Sequence, residues 1–138
     1  MTPPIVDALV GAILVLMQVG FMPSAGLHRG KAGIGVGTGA DLQLERKGRR
    51  HGNLAENAAL FVVVLALAEM AVVPDNVIKI VGAAFILGRI AHGIAFSSLA
   101  GSHGEDGSKL FPVLRGVGAL GTVGPMIVIA GYLLAGIL

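Results

Sequence analysis

Four long apolar segments constrain this chain more than any other feature of its sequence. They run from Ile5 to Met22, Leu54 to Val73, Val77 to Leu99 and Phe111 to Leu138, 18 to 28 residues each. About 20 residues of helix cross the hydrocarbon of a bilayer. There every backbone N–H and C=O needs an internal partner, which leaves only helices or a closed barrel. The runs are continuous rather than alternating, which argues against a barrel. Only 13% of the residues are charged, about half the share in a soluble domain, and the mean hydropathy is +0.84. The first segment has no basic stretch before it and no small-residue cleavage site before His28, Arg29 and Lys31. It is therefore expected to stay in the mature protein. The reading is all-α: an integral membrane four-helix bundle, antiparallel and up-down, in a single domain over residues 1–138. Its helices are expected at about 5–22, 46–73, 77–99 and 111–137.

The connectors are unequal. Residues 23–52 read as a long glycine-rich loop, Pro74 to Asn76 as a tight turn, and residues 100–109 as a polar loop. The glycines at 33, 35, 37 and 39 fit neither the dinucleotide fingerprint nor the P-loop. Small pairs at four-residue spacing (Ala84 and Gly88, Ala91 and Ala95, Gly118 and Thr122) let helix backbones approach closely in lipid. No cysteine is present, which removes disulfides, a thiolate nucleophile and Cys-ligated metal, and no metal site is expected. The net charge of +2 is small and clustered, so no nucleic-acid partner is expected.

Polar residues enter the membrane in one place. On a helix of 100° per residue, Arg46, Arg49, Asn53 and Glu56 fall within about 80° of one another, and His51 points away. Asn53 and Glu56 lie at or past the start of the apolar run, so the stripe is more than a solvated face. In the third segment, Arg89, His92 and Phe96 share a face. A buried arginine costs about 2.5 to 3.5 kcal/mol on insertion scales unless it is paired. Counting depth at 1.5 Å per residue puts Glu56 roughly 7 Å from Arg89 and Glu69 roughly 12 Å from it, so Glu56 is the expected partner. A pair that only joined two helices would leave Asn53, Arg49, Arg46 and Arg115 unexplained. Several arginines around one carboxylate suit an anionic ligand.

These residues carry a resemblance. Glu45-Arg46, then Arg49-x-His51-x-Asn53, then Glu56 is similar to the signature of the MAPEG superfamily, the membrane-associated proteins of eicosanoid and glutathione metabolism. Arg89 and His92 resemble its third-helix motif, and Arg115, opening the fourth segment, matches the arginine that glutathione-using members place beside the thiol. Asn57 stands where many members have tyrosine, as in the microsomal glutathione transferase branch, and Phe96 also replaces a common tyrosine. The resemblance implies a bacterial member of that branch, a homotrimer with glutathione as co-substrate between neighbouring subunits. It implies ligand contacts from Arg46, Arg49, His51, Asn53, Glu56, Arg89, His92 and Phe96, and a catalytic Arg115 that holds the thiol as thiolate. Such a thiolate attacks lipophilic electrophiles or hydroperoxides arriving through the bilayer, a detoxification chemistry. Two alternatives stay open. The Phe96 change fits a non-catalytic, lipid-binding scaffold of the same fold. A small four-helix transporter fits less well, because Asp7 lies too near the end of its segment and the arginines would repel cationic drugs.

Lys and Arg placement orients membrane helices. Six of the ten basic residues (Arg29, Lys31, Arg46, Lys47, Arg49 and Arg50) lie in the first connector and its edges, and Lys109 lies in the third. The opposite end has only Lys79. Both termini are therefore expected outside a bacterial inner membrane, with the site on the cytoplasmic side. Alkaline phosphatase fused after Leu138 should be active. An inactive fusion, with a cytoplasmic-type reporter active at the same place, would reverse the orientation.

Overall fold

The computed structural model describes residues 3–71, 73–103, 107 and 109–138. Among them are five helices and no strand: α1 (Ile5–Ala32), α2 (Leu42–Met70), α3 (Asp75–Ala95), the short α4 (Leu99–His103) and α5 (Leu110–Ile137). All but α4 are long and apolar enough to cross a membrane. Their outer faces expose Leu16, Leu60, Ile80, Leu87, Leu120 and Ile127. Apolar surface that extensive is foreign to a water-soluble monomer and ordinary against lipid.

Two helices overrun their apolar runs. α1 does not end at Met22 but continues through Pro23 to Ala32. It stops at Gly33, whose left-handed φ of 66° places its N–H on the Gly30 carbonyl while Ile34 N–H reaches the Arg29 carbonyl. Glycine takes that conformation without a Cβ penalty. α2 starts at Leu42, four residues before the expected 46, because the Asp41 carboxylate accepts the Leu44 N–H at 2.9 Å and caps it. The connector thus shrinks from residues 23–52 to residues 33–41. Hydropathy marks where a helix leaves lipid and says nothing of where it ends.

The extensions hold each other. His28 Nε2 lies 2.8 Å from Asp41 Oδ2, and Lys47 Nζ lies 3.0 Å from His28 Nδ1. The His28 hydrogen bond, then the Leu44 N–H, hold the Asp41 carboxyl below the usual carboxylate range. Its contribution is therefore present above pH of about 4 and fades as the pH falls through the lowered value. The Arg50 guanidinium sits 4.0 Å from the Phe21 ring centroid, a cation–π contact between the same two helices. At the other end, the Glu69 carboxylate of α2 accepts the N–H groups of Val6 (2.9 Å) and Asp7 (2.7 Å). These are two of the four orphan donors that open α1. The polar loop after α3 begins with α4, and its residues 104–106 and 108 lie outside the described residues.

The interior is filled by Val10 and Leu14 of α1, Leu54, Phe61 and Leu65 of α2, Ile78 and Phe85 of α3, and Ile129 of α5. The Phe61 and Phe85 rings stack with centroids 3.8 Å apart. In lipid, burial of apolar surface does not drive helices together, so packing and close approach must. The closest approach joins α3 to α5. A Cβ on Gly88 would lie 2.6 Å from the Gly121 carbonyl carbon, and one on Gly118 would lie 2.8 Å from His92 Cβ. Pro125, inside α5, lacks the N–H that would otherwise bond the Gly121 carbonyl, so α5 can adjust at this crossing. Gly121→Leu should lower stability in detergent by about 3 kcal/mol or more, because backbone must move rather than side chains. Gly124→Leu, where a Cβ meets nothing within 4 Å, should stay within about 1 kcal/mol. Equal melting of the two variants would mean that the α3–α5 crossing is not tight.

Candidate functional site

The first turns of α2, the carboxyl end of α3, α4 and the first turns of α5 meet at the end of the bundle that carries the α1–α2 loop. Between them lies a cavity of about 570 Å³ lined by Glu45, Arg46, Arg49, Asn53, His92, Phe96, Ser102, Arg115 and Ala119. An adjoining, more apolar hollow of about 500 Å³ shares Ser102, Arg115 and Ala119, and adds Ala95, Gly101, Phe111, Pro112 and Gly116.

The charged lining residues are held to different degrees. Arg46 is buried, and its guanidinium donates to the Phe96 carbonyl, to the Ser97 carbonyl at 3.0 Å and to Gln43 Oε1 at 3.0 Å. It closes the carboxyl end of α3, where carbonyls lack intrahelical donors and a positive charge is favoured. Arg115 donates from Nη1 to the Ser102 carbonyl at 3.3 Å and places its Cζ 4.8 Å from the Phe96 centroid. Arg49 is exposed and has no hydrogen bond or ion pair among the described residues. His92 is buried and stacks on Phe96, centroids 4.8 Å apart at 27°. Three guanidiniums and one carboxylate line the space, so it favours an anion. Guanidinium donors at Arg49 and Arg115 are free to bind carboxylate or thiolate oxygen and sulfur.

Three residues expected at the site are elsewhere. Arg89 is 3% exposed and lies behind the lining. It does not pair with Glu56. Its Nη1 donates to Asn53 Oδ1 at 2.6 Å, and its Nη2 to the Gly118 carbonyl at 3.0 Å and to Thr122 Oγ1. The expectation of an ion pair fails because depth arithmetic ranks only charged partners. A carbonyl, an amide and a hydroxyl serve the two Nη groups instead, leaving only Nε without a partner among the described residues, and the Gly88–Gly121 approach brings the carbonyl within reach. Glu56 is exposed and outside the lining, as is the half-buried His51. Conversely, Glu45, Ser102 and Ala119 line the cavity although no role followed for them from the sequence. Glu45 stands four residues before Arg49, on the same helical stripe, and that spacing was its signal. Ser102 had none, because α4 breaks a stretch that reads as loop.

An all-helical bundle with four membrane-length helices, opening at one end into a cationic cavity, defines a membrane protein with a space whose charge favours an anion. The MAPEG family matches residues 7–135, nearly the whole chain, and the chain belongs to that family. This makes it an integral membrane protein of the glutathione and eicosanoid metabolism kind. No curated protein and no solved structure matches the sequence.

The two assignments for the α2 stripe separate by stability. Asn53→Leu should cost about 1 to 3 kcal/mol, because it strands a buried Arg89 donor. Glu56→Gln should change thermal melting in detergent by no more than about 0.5 kcal/mol. A Glu56 variant as damaging as the Asn53 variant would restore the ion pair.

Proposed function

We propose that the protein is a glutathione-dependent transferase or peroxidase of the bacterial inner membrane. In this reading the helices run up-down and antiparallel, three copies form a trimer, the cavity faces the cytoplasm and both termini lie outside. The contact pairs support the helix directions: Glu69 of α2 with Val6 of α1, Asn53 of α2 with Arg89 of α3, and Gly88 of α3 with Gly121 of α5. Exposed polar side chains on one flank, Arg49 and Glu56, fit a site completed by a neighbouring copy.

The observation that carries the reading is Arg115. Its guanidinium stands at the junction of the polar cavity and the apolar hollow, with one long hydrogen bond among the described residues. Glutathione carries two carboxylates, which Arg49 and Asn53 with their neighbours can hold, and a thiol that Arg115 can hold as thiolate. A free thiol with a pKa near 8.5 is only a few per cent thiolate at neutral pH. Each unit by which the pKa falls corresponds to about 1.36 kcal/mol. The thiol proton passes to water. With an aryl halide, a carbon–sulfur bond forms and halide leaves. With a lipid hydroperoxide, the O–O bond breaks, the peroxide is reduced to alcohol and water, and two glutathiones are oxidised to the disulfide. The apolar hollow beside Arg115 suits a partner that arrives from the bilayer.

A second reading, a lipid-binding scaffold without catalysis, is favoured by Phe96, which offers no hydroxyl to a ligand. Arg115→Ala separates the two. Assembly and glutathione affinity should stay nearly intact, since Arg49 and Asn53 remain. Turnover of a chlorodinitrobenzene should fall by about two to three orders of magnitude, and the thiolate absorbance near about 240 nm should vanish. Unchanged turnover would make Arg115 an interface anchor.

A further inference from the structure

Arg115 is an exposed residue in the second turn of α5, where a long side chain ordinarily reaches for headgroups. Here it is drawn inward. The two contacts that draw it are both supplied by the carboxyl end of α3 and the segment after it: the Phe96 ring at 4.8 Å and the Ser102 carbonyl at 3.3 Å. Both are firmly set. Phe96 is 8% exposed and stacked on His92. The carbonyl of Phe96 accepts from Arg46. Ser102 donates its hydroxyl to the Ala95 carbonyl at 3.2 Å and to the Ser98 carbonyl, which pins α4 to the end of α3. Gly101 of α4 lies so close to Phe111 of α5 that a Cβ would fall 2.3 Å from that ring, so α4 cannot drift from α5 either.

On the reading of Arg115 given above, we infer that Phe96 is a positioning residue: its ring face holds the Arg115 guanidinium over the cavity, where it meets the ligand's sulfur. A cation over an aromatic face is held electrostatically, more strongly where water is excluded. A phenyl ring does this as well as a phenol. The absence of a hydroxyl at position 96 therefore leaves this role whole, and a tyrosine is compatible with it. The ring steers the arginine rather than touching the reacting atoms.

The test compares wild type, Phe96→Leu and Phe96→Tyr as full chains in detergent, with glutathione as the probe. Thiolate absorbance is titrated against pH, and glutathione affinity and assembly size are measured alongside. Glu45, Arg46 and Arg49 of α2, His92 of α3 and Arg115 of α5, the charged and titratable groups around the cavity, are common to all three proteins. Phe96→Leu should bind glutathione within about threefold of wild type. Its bound thiol should titrate about one pH unit higher, about a tenfold loss of thiolate on the acid side. Phe96→Tyr should recover most of that loss. In an Arg115→Ala background, Phe96→Leu should have no further effect on the thiol. Should the leucine variant fail to assemble, Phe96→Met keeps the volume and removes the ring. A thiol titrating as in wild type without the ring, or equal losses in the leucine and tyrosine variants, would overturn the positioning role. A wild type that binds glutathione without forming thiolate would instead overturn the reading of Arg115, and the two failures are distinct.

Discussion

The crossing of three helices below the cavity depends on where one buried guanidinium places its donors. Arg89 is buried within α3, a helix long and apolar enough to cross a membrane, and an unpaired charge inside a bilayer costs several kcal/mol. Its donors go to Asn53 on α2 and to Gly118 and Thr122 on α5. One side chain therefore ties three helices at one level. The Thr122 hydroxyl itself donates to the Gly118 carbonyl at 2.7 Å, so the acceptors are organised before the arginine arrives. That geometry requires α3 and α5 to touch backbone to backbone, which is why glycine occupies both 88 and 121. The small-residue seam and the buried cation are one device. Removing either side chains' room or the acceptors would leave the other without purpose.

The all-helical membrane class was legible because hydrocarbon allows so few backbone solutions, and four continuous apolar runs name one of them. The clustering of Arg46, Arg49, Asn53, His92, Phe96 and Arg115 round one cavity was legible for a similar reason. Helical spacing fixes which residues share a face, and short turns fix which ends meet. What escaped was set by contacts between helices. Glu69 reads as a poor partner for Arg89, yet it caps the start of α1, a task that cannot be seen from either helix alone. The continuation of α1 past Pro23 rests on His28, Asp41, Lys47 and Arg50 bridging to α2, all of them in stretches that composition assigns to a loop.

The arginines divide into two groups, and the division says more about the site than their number does. Arg89 and Arg46 are buried and bonded to main-chain carbonyls and neutral side chains, and Arg50 lies on Phe21. None of these can turn toward a ligand without breaking a helix junction. Arg49 and Arg115 are exposed and lightly held. The inner arginines thus build a rigid wall; at its rim Arg49 has no hydrogen bond among the described residues, and Arg115 rests against the Phe96 ring. A cavity so arranged keeps its shape at the wall and leaves guanidinium charge at the rim.

Rigidity at the wall also bears on where selectivity can reside. The polar cavity and the apolar hollow meet at Arg115, Ser102 and Ala119. Of these, Ser102 belongs to α4, which is short and held by its neighbours rather than by its own length. A five-residue helix has too few internal bonds to persist alone, so its position is a consequence of Phe111, Ala95 and Ser98 around it. Changes at Ala95 or Phe111 would therefore reshape the hollow first, while Arg46 and Arg89 still hold the far wall of the polar cavity. The apolar hollow and the anion-favouring cavity are thus held by different forces, so one can change with less effect on the other.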